Sequence, residues 1–238
     1  SKGASSVKNG YESTTGQINI EFLKPQGTDG LRANVYQDSE LKTEGNLDGS
    51  VHLNERLSTA TLLHFENRQM DHDGNSDGFM DMPKLRQYNV MHRWAYVSPR
   101  WTSQLMLRGL HDERNGGQSR KHAAADSSEP LYTTSVKTNR YEAQWKNGFT
   151  LNADHNTSVA LILHGSWHDA DNMFGRTEYD VTQKNGYAQL MFETDITEHH
   201  NLSVGASLNH DYYDERFNPL GALARAESTV SKETTPGL

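Results

Sequence analysis

The chain has 238 residues, of which 34% are hydrophobic, and its 23 Lys and Arg residues against 31 Asp and Glu residues give a formal net charge of −8. No apolar run approaches the roughly 18–20 residues of a membrane helix, which excludes a helical membrane protein. The acidic balance argues against a nucleic-acid partner, and the absence of cysteine excludes thiol catalysis, disulfides and cysteine-based zinc sites.

Apolar and polar residues alternate along most of the chain, which predicts strands with one apolar face. Between Leu202 and Tyr212, apolar side chains favour the even positions and polar side chains the odd ones. Between Leu41 and Leu53, polar and charged residues hold the even positions. The same pattern predicts nine strands in chain order, at residues 30–36, 41–53, 57–67, 85–97, 101–113, 136–149, 157–168, 181–195 and 200–213.

The lengths of the strands and of their connections indicate an architecture. Most predicted strands exceed the roughly 5–6 residues usual in globular proteins and fit a tilted membrane strand of about 9–11 residues. Apart from a short link near Asp38, short links at 54–56, 98–100, 150–156 and 198–199 alternate with long ones at 68–84, 114–135, 169–180 and a tail from Asp214. Short turns at one end and long loops at the other are typical of an outer-membrane β-barrel. A large soluble β-sandwich or solenoid is the alternative.

Aromatic residues near the short links support the barrel. Trp94, Tyr96 and Trp101 flank residues 98–100, and Trp145 and Phe149 precede the next short link. Such rings, apolar in body and polar at the tip, belong at a membrane interface.

Charged residues within the strands are predicted to face a hydrated interior, because their burial in lipid would be costly. These residues are Lys42, Glu44, Asp48, Arg93, Arg108, Glu142, Lys146 and Glu193.

The odd number of strands predicts that the chain is incomplete. Bacterial single-chain barrels have even strand numbers, and lipid cannot satisfy the edges of an open sheet. We therefore expect an internal fragment of a longer barrel. A smaller closed barrel, with one more strand at residues 13–24, is the competing interpretation.

The segment from Lys8 to Pro25, with Gly10, Gly16 and the apolar pair Ile18 and Ile20, resembles the end of the plug domain in TonB-dependent outer-membrane receptors. The resemblance extends from Asn9 to about Gly117 and is closest to the Bacteroidetes form of the family. It is carried there by the runs 71–83, 89–94 and 112–118.

This resemblance implies a 22-stranded barrel closed by an N-terminal plug. Residues 1–25 would be the C-terminal end of the plug, and residues 26–238 the N-terminal part of the barrel with its long extracellular loops. The implied function is energised uptake of a scarce nutrient across the outer membrane, with TonB acting through parts of the receptor outside this chain. A surface lipoprotein over the outer loops is a further implied partner.

The loop from Asp71 to Asp81 is a candidate calcium site. It places oxygen-bearing side chains at Asp71, Asp73, Asn75, Asp77 and Asp81, and its glycines permit tight turns. Hard oxygen ligands suit Ca²⁺, whose role here would be to order the loop. The spacing departs from an EF-hand loop, and a solvated acidic loop is the alternative.

Further candidate ligand-binding residues lie in or beside the predicted outer loops. Imidazoles could bind a metal or a metal chelate, and cationic side chains an anionic ligand. The alternative is that they are solvated residues of the loops or the lumen. The candidates are His72, His111, Arg114, Arg120, His122 and His168.

Three hypotheses for function follow. The first is a TonB-dependent receptor for a metal chelate, haem, cobalamin or similar nutrient. The second is a passive porin of about 10–12 strands, and the third is a soluble β-rich binding or adhesion protein. No pair of catalytic carboxylates, nucleophile triad or cofactor loop indicates an enzyme.

Overall fold

A computed structural model describes residues 22–27, 30–119, 130–219 and 225–237. Within these ranges the protein is all-β, as predicted, and forms a single antiparallel sheet of ten strands that follow one another in chain order. The strands are β1 Gly30–Gln37, β2 Thr43–His52, β3 Leu57–Arg68, β4 Lys84–Val97, β5 Trp101–Gly117, β6 Thr133–Asn152, β7 Thr157–Phe174, β8 Thr177–Thr197, β9 His200–Pro219 and β10 Glu227–Gly237. In the described part of the chain the sheet is open, because β1 and β10 each pair on one side only.

All nine predicted strands are present, but the predicted number is too low by one. The tail beyond Asp214 first extends β9 to Pro219 and then returns as β10, antiparallel to β9. The predicted long link at 169–180 is also wrong. It consists almost entirely of strand, and β7 and β8 are joined by the two-residue turn at Gly175 and Arg176. Gly175 has a φ of 63°, the left-handed conformation that such tight hairpin turns require.

Side-chain hydrogen bonds close the short turns at the other end of the sheet. The Asn54 side chain accepts hydrogen bonds from the backbone N–H groups of Arg56 and Leu57, both at 2.9 Å. The Ser98 hydroxyl accepts one from the N–H of Trp101 at 3.1 Å. Small polar side chains thus replace the ladder bonds that a reversing chain loses.

The register places apolar and charged residues on opposite faces of the sheet. One rung joins Leu63, Val90 and Gly109 across β3, β4 and β5, and every second residue of each strand shares that face. We call it the apolar face, and the opposite one the polar face. All eight charged residues that were predicted to face an interior lie on the polar face, as follows from their strand pairing and spacing.

Burial distinguishes the two faces further. The buried apolar residues of the strands all lie on the polar face: Ala60, Leu85, Met91, Ala95 and Ala170. Large hydrophobic side chains of the apolar face are instead exposed, as for Leu190 at 52% and Val204 at 56%. Side chains crowd on the inner side of a curved sheet, so we infer from the burial that the polar face is the concave one. Among the described residues there is no helix long and apolar enough to cross a membrane.

Candidate functional site

The polar face carries connected ion pairs along its strands. At its outer end, beside the long loops, Lys42 Nζ lies 3.1 Å from Glu66 Oε1 and 3.3 Å from Glu44 Oε2. The hydrogen bond with Glu66 raises the pKa of Lys42, and the bond with Glu44 acts in the same direction. His64 Nδ1 adds a contact of 2.7 Å to the Asn46 side chain. This end of the polar face therefore holds the Lys42 ammonium between two carboxylates.

Glu142 is the centre of the network in the middle of the sheet. Its carboxylate accepts hydrogen bonds from Arg140 at 2.8 Å and from Arg108 at 3.3 Å. Only 10% of the Glu142 side chain is exposed, so the two arginines are the partners of a largely buried carboxylate. Four residues beyond Arg108 along β5, Asp112 is buried and accepts hydrogen bonds from Arg114 at 2.8 Å and Gln87 at 2.6 Å.

A short N-terminal segment, residues 22–27, lies against this polar face. Arg93 of β4 donates hydrogen bonds to the carbonyl oxygens of Leu23 at 2.6 Å and Phe22 at 3.3 Å. Beside this contact is a cavity of about 270 Å³, lined by Phe22 together with Asp48, Asn89 and Arg108. The chain therefore enters the sheet from the concave, charged side. The predicted plug segment at residues 1–25 otherwise lies outside the described residues.

The acidic loop between β3 and β4 is closed by its own carboxylates. Asp73 accepts hydrogen bonds from the N–H groups of Asp77 at 3.2 Å and Gly78 at 3.0 Å. Asp81 accepts one from the N–H of Gly74 at 2.7 Å. In the part of the chain that the structure describes, no three His, Cys, Asp or Glu side chains are arranged to hold a metal ion. Four of the five side chains predicted to bind calcium, those of Asp73, Asn75, Asp77 and Asp81, accept hydrogen bonds from backbone N–H groups here.

The same loop extends the sheet beyond β4. The N–H of Met80 donates to the carbonyl of Gly117 at 2.9 Å, and the N–H of Ser119 donates to the carbonyl of Gly78 at 2.8 Å. Phe79 and Gln118 form an isolated antiparallel bridge. The acidic loop is thereby joined to the end of β5.

A larger cavity, of about 730 Å³, opens at this junction and was not foreseen from the sequence. Its walls come from the acidic loop and from the ends of β4, β5 and β6. The lining includes Asp71, Met80, Lys84, Asn115 and Gln118. Its volume is that of a small-molecule site, and its position is the end of the sheet where the long loops gather.

The structure separates the remaining predicted ligand residues. His72 lies in the acidic loop, with Nδ1 3.1 Å from Glu40 of the β1–β2 turn. His111 lies on the apolar face, with Nδ1 2.8 Å from the Asn139 side chain. Arg114 and His168 lie on the polar face, on β5 and β7.

His111 therefore does not face the same side as Arg114 or His168. Arg120 and His122 lie outside the described residues. The predicted ligand residues do not form one site among the parts of the chain described.

Neither a protein-family model, nor a curated protein, nor a solved structure matches this chain.

Proposed function

We propose that the chain forms part of the barrel wall of a TonB-dependent outer-membrane receptor that takes up a scarce nutrient such as a metal chelate, haem or cobalamin. The observation that carries this proposal is the division of the sheet into a convex apolar face and a concave charged face. A wall between lipid and a hydrated, plugged interior needs both faces.

The height of the apolar face supports the membrane placement. On β4 it extends from Tyr88 to Tyr96, and on β6 from Tyr141 to Phe149. Each stretch is about 26 Å along the strand at roughly 3.3 Å per residue. At a strand tilt of about 40° it rises about 20 Å along the membrane normal, close to the apolar band of about 25 Å in outer-membrane barrels. Aromatic rings stand at both ends of these stretches, as in the two interfacial girdles of such barrels.

The tryptophans support the same placement. The chain has four, and the register puts all of them on the apolar face, at Trp94, Trp101, Trp145 and Trp167. Trp101 stacks beside Phe149 with ring centroids 6.1 Å apart, next to the short turns. Beyond the upper rings the same face becomes charged, for example at Arg86.

The N-terminal segment favours a plugged receptor over a passive porin. Arg93 binds the segment's carbonyls on the concave face, which is where a plug would enter the barrel. In this proposal the cavity at the junction of the acidic loop and β5 belongs to the outer ligand site. Ca²⁺ bound by the acidic loop would order that loop. The TonB complex and any surface lipoprotein would act on parts of the receptor beyond this sheet.

Cysteine accessibility tests the membrane placement. This chain contains no cysteine, so each introduced thiol is its only one. In outer-membrane vesicles of the full-length protein, Leu163→Cys on the apolar face should resist a charged methanethiosulfonate reagent. Met173→Cys, on the same strand and face but above the aromatic rings, should react. Equal reaction of both would refute the membrane placement and favour the soluble alternative.

Solute permeation and energisation then separate the receptor from the porin. Liposomes that contain the purified full-length protein should not swell in arabinose, whereas a passive porin admits this sugar. Cells that depend on the protein for haemin, ferric citrate or cyanocobalamin should lose growth on one of them when TonB is removed. Swelling of the liposomes together with TonB-independent growth would favour the porin.

A further inference from the structure

A groove of about 670 Å³ crosses the apolar face of β1 to β6. Its floor has small residues at Ala33, Gly45 and Gly109, and bulky apolar side chains such as Leu63 and Val90 stand beside them. A Cβ atom added at Gly45 would meet nothing within 4 Å, so this glycine opens onto free space. The groove is thus a depression in a face that is otherwise covered by side chains.

The groove runs across the strands, and the side of it that is nearer the long loops is lined by aromatic rings. Tyr88 lies between Phe65, at a centroid distance of 5.3 Å, and His111, at 6.2 Å. These rings lie at the upper limit of the apolar stretch, where an interfacial girdle is expected. An apolar ligand in the groove would therefore have its polar end at this level.

Cationic side chains lie just above these rings on the same face. They are Lys84 and Arg86 on β4 and Lys137 on β6. The acidic residue among them, Glu113, is held by Arg86 at 3.9 Å and by His111 at 3.5 Å. Among the described residues, neither Lys84 nor Lys137 forms an ion pair.

The other half of the same rim has the opposite charge. Acidic residues of β7, β8 and β9 predominate there on the apolar face: Asp169, Asp171, Glu178, Asp180 and Asp214. Lys184 in this half is placed over the Tyr212 ring at 5.5 Å, and Lys232 lies over the same ring at 5.6 Å. This half also carries Arg216 of β9 on the same face, so its charge is mixed with an acidic excess. Lys84, Arg86 and Lys137 lie on strands that carry the groove, and Lys137, opposite Asp171 of β7, stands at the boundary between the two halves.

We infer that the groove binds an acyl chain of an anionic membrane lipid whose phosphate lies against Lys84, Arg86 and Lys137. The inference rests on the proposed membrane placement of the apolar face. The apolar groove would hold the chain, and the cations would select the headgroup, as basic pockets at membrane interfaces do. The volume is within the usual range of ligand sites.

Lipid binding to groove variants tests this inference. The full-length protein would be purified from its membrane, and its binding of phosphatidylglycerol and phosphatidylcholine compared by native mass spectrometry. Gly45→Leu should fill the groove and remove the tightly bound phosphatidylglycerol. Gly186→Leu is the matched control, because Gly186 lies on the same face with nothing within 4 Å of its added Cβ. Should Gly45→Leu fail to fold, Gly109→Ala offers a smaller filling, since its Cβ would meet Val90 at an ordinary 3.4 Å.

Charge variants test the headgroup. Each cation near an anionic phosphate strengthens binding by roughly fivefold. Lys84→Gln with Lys137→Gln should therefore weaken phosphatidylglycerol binding about thirtyfold and leave phosphatidylcholine binding unchanged. Lys184→Gln with Lys232→Gln, on the acidic half of the rim, is the control and should have no effect.

The results also separate this inference from the proposed function. If the protein inserts into vesicles but the groove and control variants bind phosphatidylglycerol equally, the lipid site is refuted and the membrane placement stands. If the wild-type protein does not insert, both are refuted.

Discussion

The effect of a charge placed on the apolar face can be predicted from the depth of Leu163. This residue lies on β7 midway between Val159 and Trp167, and its cross-strand neighbours on the same face are Trp145 and Ala188. Its side chain is 36% exposed. In the proposed placement this exposed surface contacts the centre of the bilayer. Leu163→Arg should then cost about 2–4 kcal/mol, the range for arginine at the midplane of an outer-membrane barrel.

The assay is urea unfolding of the full-length protein in phospholipid vesicles, followed by tryptophan fluorescence. Met173→Arg is the matched control, because it makes a comparable change on the same strand and face, roughly 33 Å further along at about 3.3 Å per residue. Near or beyond the interface the cost should fall to about 0–1 kcal/mol. In a soluble protein both residues would face water, and both changes would stay within about 0.5 kcal/mol. Equal, small effects at the two positions would refute the reasoning.

Three further predictions concern the loop and the polar face. Asp73→Ala with Asp77→Ala should raise proteolysis of the acidic loop and abolish its protection by Ca²⁺, because the acceptors for backbone N–H groups and the charge are both lost. The Asn pair keeps one acceptor oxygen in each side chain, so it should raise proteolysis less and still lose the Ca²⁺ effect. Proteolysis that is indifferent to Ca²⁺ in the unaltered protein would contradict the calcium proposal. Arg93→Met should speed hydrogen exchange of residues 22–27 by removing both carbonyl contacts, and unchanged exchange would mean that the contact does not hold the segment. Glu142→Gln should cost about 1–3 kcal/mol in urea unfolding, because both arginines lose the negative charge of their partner and one of them loses its acceptor oxygen. Glu113→Gln on the more exposed rim should cost less than about 0.5 kcal/mol, and equal costs would show that the inner pairs add nothing.

The strands could be predicted from the sequence only where one face of the strand is apolar, because only there do apolar and polar residues alternate. From Val159 to Trp167 one face of β7 has no polar side chain, whereas the other carries Ala160 and Ile162 and only then His164 and Ser166. The apolar face is what the sequence shows. Beyond Trp167 the same face continues with Asp169 and Asp171, so both faces are polar and the pattern disappears although the strand continues to Phe174. This loss of alternation is the reason why residues 169–180 were predicted to form a loop.

The strand β10 was missed for a related reason. Between Glu227 and Gly237 Val230 is the only large hydrophobic residue, and Pro236 argues against a strand. Its place in the sheet comes from backbone pairing with β9, in which Val230 lies opposite Asp214. Backbone pairing of this kind leaves little trace in side-chain type.

The sequence predicts which residues lie on the polar face, but it does not predict which side chains they contact there. The spacing of Arg108 and Glu142 indicates that each points inward, and their pairing follows once the β5–β6 register is known. The bonds from Arg93 to Phe22 and Leu23 join residues about seventy positions apart and have no signal in either local sequence. For the same reason, the approach of His72 to Glu40 across two connections could not be foreseen.

The low hydrophobic content of the chain is consistent with the proposed membrane wall. A strand that crosses lipid needs apolar residues at only every second position over roughly nine residues. The strands β5, β6, β8 and β9 have 17 to 21 residues each, so about half of each strand lies outside such a band and is polar on both faces. A hydrophobic content of 34% is therefore expected for this architecture, whereas a sheet of the same area folded around a dry core would need apolar residues along the whole of each strand. In the proposed placement, the acidic loop, which is bridged to the end of the long strand β5, and the cavity beside it would lie in water beyond the lipid.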